Sequence, residues 1–168
     1  MKVALVHDYL NQYGGAERVL ECLMDLYPDA PVFTLISDLK KMPPRFREAD
    51  IRHSFIQSLP FAKSQYKKML GLLPLAIEQF DLRGYDLILS SSSAFAKGVI
   101  TNPDQIHVCY CHTPLRYVWD LYHQYIKEIR NPIYKIVLPR ILHKIRIWDQ
   151  VSSRRVDYFI ANAHNVAK

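Results

Sequence analysis

Brief apolar runs and longer stretches of helical spacing alternate from one end of the chain to the other. Residues 2–6 (KVALV), 32–36 (VFTLI), 86–90 (DLILS), 107–111 (HVCYC) and 157–161 (DYFIA) are short, continuous and rich in β-branched or aromatic side chains. Such runs fit strands buried on both faces, as in a parallel sheet. Residues 51–55 (IRHSF) form a weaker candidate. Ala16, Val19, Leu20, Leu23, Met24 and Tyr27 recur at i, i+3, i+4 and i+7, the stripe of an amphipathic helix. Similar spacing predicts helices over about 59–80, 116–129 and 133–153, with Pro139 expected to kink or break the last. Turns are marked by Pro43-Pro44, Asn102-Pro103 and Asn131-Pro132. Strands alternating with helices imply βαβ units. The expected fold class is α/β: a Rossmann-like, doubly wound, mainly parallel sheet with helices on both faces.

The 168 residues suffice for one core, and there is no internal repeat, so a single domain over 1–168 is expected. The run at 157–161 is followed by only the first turns of a helix, which suggests half of something larger. Right-handed crossovers place the loops after parallel strands on one edge of the sheet. The loop at 13–17, the serines at 90–93 and residues 111–113 are therefore expected to open together.

Composition narrows the classes. A hydrophobic content of 49% and a charged content of 23% are ordinary globular values. No apolar run approaches the ~20 residues of a bilayer span. The opening residues lack a signal-peptide core, because their apolar stretch is short and meets charge at Asp8. Three cysteines without a staple pattern point to a reducing cytoplasm. Residues 127–155 hold eight basic side chains against two acidic ones and account for the whole net charge of +6. In that segment Tyr134, Leu138, Ile141, Ile145 and Trp148 recur at helical spacing beside Arg140, Lys144 and Arg146. Lys63, Lys67 and Lys68 lie likewise among Phe61, Met69, Leu70, Leu72 and Leu73. Two such segments suit either core helices with solvated basic faces or peripheral contact with an anionic membrane surface. No helix-turn-helix, zinc finger or RNP aromatic pattern accompanies the charge, so nucleic acid is not an expected partner.

The candidate chemistry clusters after the strands. Gly14 and Gly15 precede the first helix, where backbone N–H groups and the helix dipole favour a phosphate. The spacing is neither G-x-G-x-x-G nor a Walker loop, and a plain tight turn explains it as well. Cys109 and Cys111 are alternate residues of one strand and share a face, so they read as structural cysteines and no metal site is expected. Adjacent Cys111 and His112 point to opposite faces, which disfavours a Cys–His nucleophile. Residues 112–120 are the densest polar-aromatic cluster. There His112 can polarise a hydroxyl, Arg116 can hold phosphate, and Tyr117 and Trp119 can stack on a sugar. The same residues also fit a capped helix, with Thr113 as N-cap and Pro114 at N1. Ser90–Ser93, including Ser92, suit either a sugar or phosphate contact or a polar loop.

Three motifs in order carry a resemblance. VALVHD at 3–8 running into GGAER at 14–18, CYCHTPLRYVWD at 109–120, and WD at 148–149 with RVDYFIAN at 155–162 resemble bacterial family 4 glycosyltransferases. Mannosyltransferase-like proteins of surface-polysaccharide assembly are the nearest likeness. The resemblance spans essentially the whole chain. It implies a retaining enzyme of GT-B architecture: an N-terminal acceptor domain, which this chain would be, facing a C-terminal donor domain with an E-x₇-E motif. It further implies no resident cofactor, a nucleotide-sugar co-substrate such as GDP-mannose, and a saccharide or lipid-linked acceptor at the inner membrane face. By the resemblance Gly14 and Gly15 contact the donor diphosphate, and His112 lies by the transferred sugar as the catalytic residue. Asp8, Ser92, Arg116, Tyr117, Asp120 and Asn162 join the substrate-binding set. Ala163 departs from the Ser that usually follows the family's Ala-Asn. The alternative is a stand-alone, non-catalytic Rossmann-like module that binds a sugar phosphate or regulates.

Overall fold

A computed structural model describes residues 1–167. Six strands form one sheet: β1 (Val3–Leu10), β2 (Val32–Ser37), β3 (Ile51–His53), β4 (Leu87–Ser92), β5 (Ile106–Cys111) and β6 (Tyr158–Ala161). Their order is β3-β2-β1-β4-β5-β6, and every neighbouring pair is parallel. Among the described residues six α-helices accompany them: α1 (Gly15–Leu26), α2 (Pro44–Glu48), α3 (Ala62–Gln65), α4 (Leu73–Glu78), α5 (Tyr122–Glu128) and α6 (Pro132–Ser152). The fold is the expected Rossmann-like α/β sheet, wholly parallel rather than mainly so.

Alternation along β1 builds two cores. Ala4 and Val6 join Phe33, Ile77, Phe95, Leu138, Leu142 and Ile145 on one face. Val3 and Leu5 join Leu20 and Met24 of α1 and Phe46 of α2 on the other. Successive strand side chains point to opposite faces, so helices must cover both.

Three predicted elements differ. The run at 59–80 is broken into α3, a 3-10 stretch over Tyr66–Leu72, and α4. Pro74 favours a helix start, where its missing N–H costs no intrahelical bond, and α4 carries it in its first turn. Phe61 holds a left-handed φ of 61°, which ends any continuity on the other side. The helix predicted from 116 begins only at Tyr122; residues 116–121 form turns instead, and Thr113 caps nothing. Pro139 does not break α6, which runs for 21 residues on its buried stripe of Leu138, Leu142 and Ile145.

One glycine is dictated by packing. A Cβ at Gly98 would lie 2.3 Å from Cζ2 and 2.4 Å from Cη2 of Trp148. That indole is pinned, because its Nε1 donates to Glu78 and its ring tilts against Phe95. Arg155 further locks the corner by donating to Glu78 and to the Gly98 carbonyl. Gly98→Ala is therefore expected to cost about 1–3 kcal/mol of stability by overpacking, measured by urea unfolding.

His107 is fully buried on β5, with Ser90 Oγ 2.8 Å from its Nε2. Burial lowers its pKa from 6.5 to about 4, against the Arg155 backbone and the Asp157 carboxylate, which favour the cation. Between those two values the unfolded chain binds a proton that the native imidazole does not. The neutral imidazole's contribution is thus intact above pH 6.5 and declines as the pH falls toward 4. Urea unfolding should show about 2 kcal/mol less stability from this group at pH 5 than at pH 7.5. His107→Gln should lose that increment.

Candidate functional site

The strand order locates the site before any side chain is considered. From β1 the chain winds outward through β2 and β3, then returns to place β4 on the other side of β1. At such a reversal the flanking loops diverge and leave a crevice beyond the carboxyl ends of the two strands. His7 and Asp8, the Gly14-Gly15 loop, Ser91–Ser93 and, one strand over, His112 all belong to this rim. His7 pairs with Ser91 in register, and Ser92 pairs with Cys111, the residue before His112.

Asp8 ties the rim together through its carboxylate. It is 3% exposed. Its Oδ2 accepts N–H bonds from Ser93 (2.5 Å) and Ala94 (2.9 Å), and its Oδ1 accepts from Phe95 and Ala96, both at 2.6 Å. A single carboxylate thus ties the turn after β4 to the end of β1. Asp8 also lines the rim cavity beside His7 and Gly14.

The serine run is likewise not an open loop. Ser90, Ser91 and Ser92 are strand residues at most 1% exposed. Ser92 Oγ accepts the Lys97 N–H, so that hydroxyl is engaged within the fold. Ser91 Oγ lies 2.8 Å from His112 Nε2 and orients that ring.

His112 is half-buried, tilted against Tyr110 at 5.0 Å between ring centroids. Burial, aided by His7, lowers its pKa below the ordinary imidazole value; Asp8 and Glu17 pull the other way without prevailing. The ring is therefore neutral at neutral pH, with one nitrogen able to accept a proton and the other able to donate. Cys109 is pushed up to about 12 and Cys111 is raised, both by burial first, so neither thiol is a ready nucleophile.

The start of α1 is already capped from within. Glu17, 5% exposed, accepts the Gly14 N–H at Oε2 (2.7 Å), while its Oε1 lies 3.6 Å from His7 Nε2. Burial opposes its charge, yet the His7 imidazole and the N–H groups of Glu17 and Gly14 hold its carboxyl below the usual range. A Cβ on Gly14 would meet Glu17 Oε2 at 3.3 Å, whereas one on Gly15 meets nothing within 4 Å. Gly14 has extended backbone, φ −135° and ψ −156°, and needs no glycine-only conformation.

Two cavities share this rim. One of about 190 Å³ is lined by His7, Gly14, Gly15, Glu17, Tyr66 and Ser93, among others. A second, of about 280 Å³, is walled by Tyr9, Tyr66, Lys67, Leu70, Tyr117 and Tyr125. A larger hollow of about 500 Å³ opens around Lys2, Leu26, Tyr27, Arg52 and Tyr85. It sits at the amino ends of the strands, away from the crevice, and gathers none of the candidate chemistry.

The remaining candidates spread out. Tyr117 is withdrawn into the second cavity, its pKa raised chiefly by burial. Arg116 and Asp120 are exposed on the turns before α5. Asn162 leaves β6 next to His112, its N–H donating to the Cys111 carbonyl. Trp119 Nε1 donates to Asp149, which pairs with buried Lys97 at 2.5 Å, so the turns after His112 are latched onto α6. His7, Glu17, Tyr9 and Tyr66 were not named as site residues by sequence reasoning, and Ser91 entered only as part of the run 90–93. The one legible signal was Glu17 three residues after Gly14, the spacing of a capping pair. Among the described residues no helix is long and apolar enough to cross a membrane. Comparison of the chain with protein-family models, with curated proteins and with solved structures finds no match.

Proposed function

We propose that this chain is the acceptor-side domain of a retaining, family 4-like glycosyltransferase. It would move a hexose, mannose or a close relative, from a nucleotide sugar to a polysaccharide or lipid-linked precursor. The carrying observation is the convergence of His112, held by Ser91, with the Gly14-Gly15 loop at the reversal between β1 and β4. A neutral imidazole held by Ser91 and close enough to His7, Asp8 and Glu17 to feel their charge suits a partner for sugar hydroxyls and can relay a proton as the acceptor oxygen attacks. Retention by same-face attack lets the leaving phosphate take the proton, so the domain needs no carboxylate pair. The basic surface supports a lipid-bound acceptor: Ile133, Ile136 and Val137 are exposed on α6 beside Lys135 and Arg140. Such a face suits an anionic leaflet.

The test is hexose transfer by the full-length protein across a panel of nucleotide sugars, with products and anomeric configuration read by mass spectrometry and NMR. Retained configuration and strong dependence on His112 are expected. Sugar or sugar-phosphate binding without turnover would instead favour the stand-alone binding module.

A further inference from the structure

Four tyrosines from four separate segments wall the second rim cavity. Tyr9 comes from the end of β1, Tyr66 from the 3-10 stretch before α4, Tyr117 from the turns after His112, and Tyr125 from α5. Tyr9 and Tyr66 meet with ring centroids 4.6 Å apart and planes tilted by 43°; Tyr117 and Tyr125 meet at 5.8 Å and 56°. Each is half-buried, and none of the four hydroxyls hydrogen-bonds to a described residue. The volume of about 280 Å³ lies near the lower end of small-ligand sites, ~300 Å³. Rings tilted in this way offer no parallel slot of the kind a flat nucleobase fills. They suit a sugar ring, whose C–H faces lie on aromatic surface while its hydroxyls exchange hydrogen bonds with the phenols.

The charge at this cavity is one-sided. Lys67 lines it, and among the described residues no aspartate or glutamate does. The ion-paired lysines are Lys41 and Lys97, so Lys67 has no carboxylate partner among the described residues. Three carboxylates lie near enough to act on the phenols. Asp8 is spent on four backbone N–H groups and Asp149 on Lys97, while Glu128 is exposed on α5. An unpaired ammonium at the edge of an aromatic-walled hollow attracts an anion more strongly than one surrounded by water. Its compact charge takes a carboxylate or a phosphate alike.

We infer that the tyrosine cavity takes a saccharide ring bearing an anionic substituent, a carboxylate or a phosphate ester, with the ring on the tyrosine faces and the anion on Lys67. The inference rests on the proposed transferase reading and names the class of its acceptor: an acidic saccharide rather than a neutral one. Tyr9 and Tyr66 also line the rim cavity, so a sugar held here abuts the hollow that the diglycine loop borders.

The experiment is titration with amide shift mapping on the full-length protein, using methyl α-glucoside, methyl α-glucuronide and glucose 6-phosphate as probes. At least one charged probe should bind about fivefold more tightly than the neutral glucoside, with shifts at Tyr66, Lys67 and Tyr125, and should lose that advantage at high salt. Which of the two does so tells a uronate from a sugar phosphate. Lys67→Met alters an exposed side chain; it should remove the advantage and leave glucoside binding unchanged. Tyr125→Phe keeps the ring, removes the hydroxyl and should weaken all three probes. Equal affinity for charged and neutral probes, no binding of any probe, or charged-probe binding untouched by Lys67→Met would overturn the inference, whatever the tyrosine variant does. A preserved preference for the charged probe without hexose transfer would defeat the enzyme reading and leave the acidic-saccharide site standing. Transfer to neutral acceptors with no dependence on Lys67 would do the reverse.

Discussion

Replacing Asp8 with alanine is expected to remove about 4 kcal/mol or more of stability, enough to leave little folded protein. Four backbone N–H groups, from Ser93 to Ala96, end on its two oxygens. Ala94 and Phe95 sit in the core on the α6 side of the sheet, and Ala96 with them, so water reaches those donors poorly. Each buried donor left unmade costs about 1–3 kcal/mol, more where the lost acceptor was charged. Partial rearrangement of the turn sets the lower bound. Asp8→Asn preserves shape but offers one acceptor oxygen in place of two, and should fall between alanine and wild type. Guanidinium unfolding, monitored by Trp fluorescence, measures both. A loss below about 1 kcal/mol for alanine would mean that residues 93–96 find other acceptors, and the structural role given to Asp8 would be wrong.

The second large effect belongs to His112. His112→Ala should lower hexose transfer by the full-length protein about 100-fold or more, the usual range for a positioned proton-transfer group. Its stability should change little, because the half-buried ring gives up one bond to Ser91, worth about 1 kcal/mol. Separation of these two readouts is the point: a structural histidine would move stability and activity together. The pH profile adds a check on sign. With its pKa held below 6.5 by burial and by His7, the imidazole is neutral above that value and becomes charged only on further acidification. Activity should therefore be retained from neutral pH down to about 6.5 and fall on the acid side. Near wild-type turnover by the alanine variant would remove His112 from the proposed chemistry.

The elements that read clearly were those whose surroundings are the same on every side. β1 and β2 are buried on both faces and β4 nearly so, and unbroken apolar runs announce them; β5, buried only at His107 and Cys109, shows through the same kind of run. Even so, β1 continues through His7 and Asp8 to Leu10, beyond the run at 2–6. Those polar residues are buried because they have partners in the fold, and a hydropathy pattern has no access to partners. The region 59–80 misled for a related reason: its apolar spacing is helical, but Pro74 and the left-handed Phe61 divide it. Residues 116–121 form turns latched by Trp119 to Asp149, 30 positions away, and no local propensity encodes that bond.

For the candidate site the division is sharper. Alternating strand and helix, a glycine pair at the first junction and a histidine after a later strand were all plain in the order of residues, because they depend on local periodicity and on parallel strands sharing a direction. Which charges face one another is a matter of long-range contact. Ser91 beside His112, four amides on Asp8, and Glu17 over the amide of Gly14 against His7 join residues up to 88 positions apart. These contacts set a buried carboxylate against the first amide of the diglycine loop, and a buried charge takes its meaning from what the fold sets beside it.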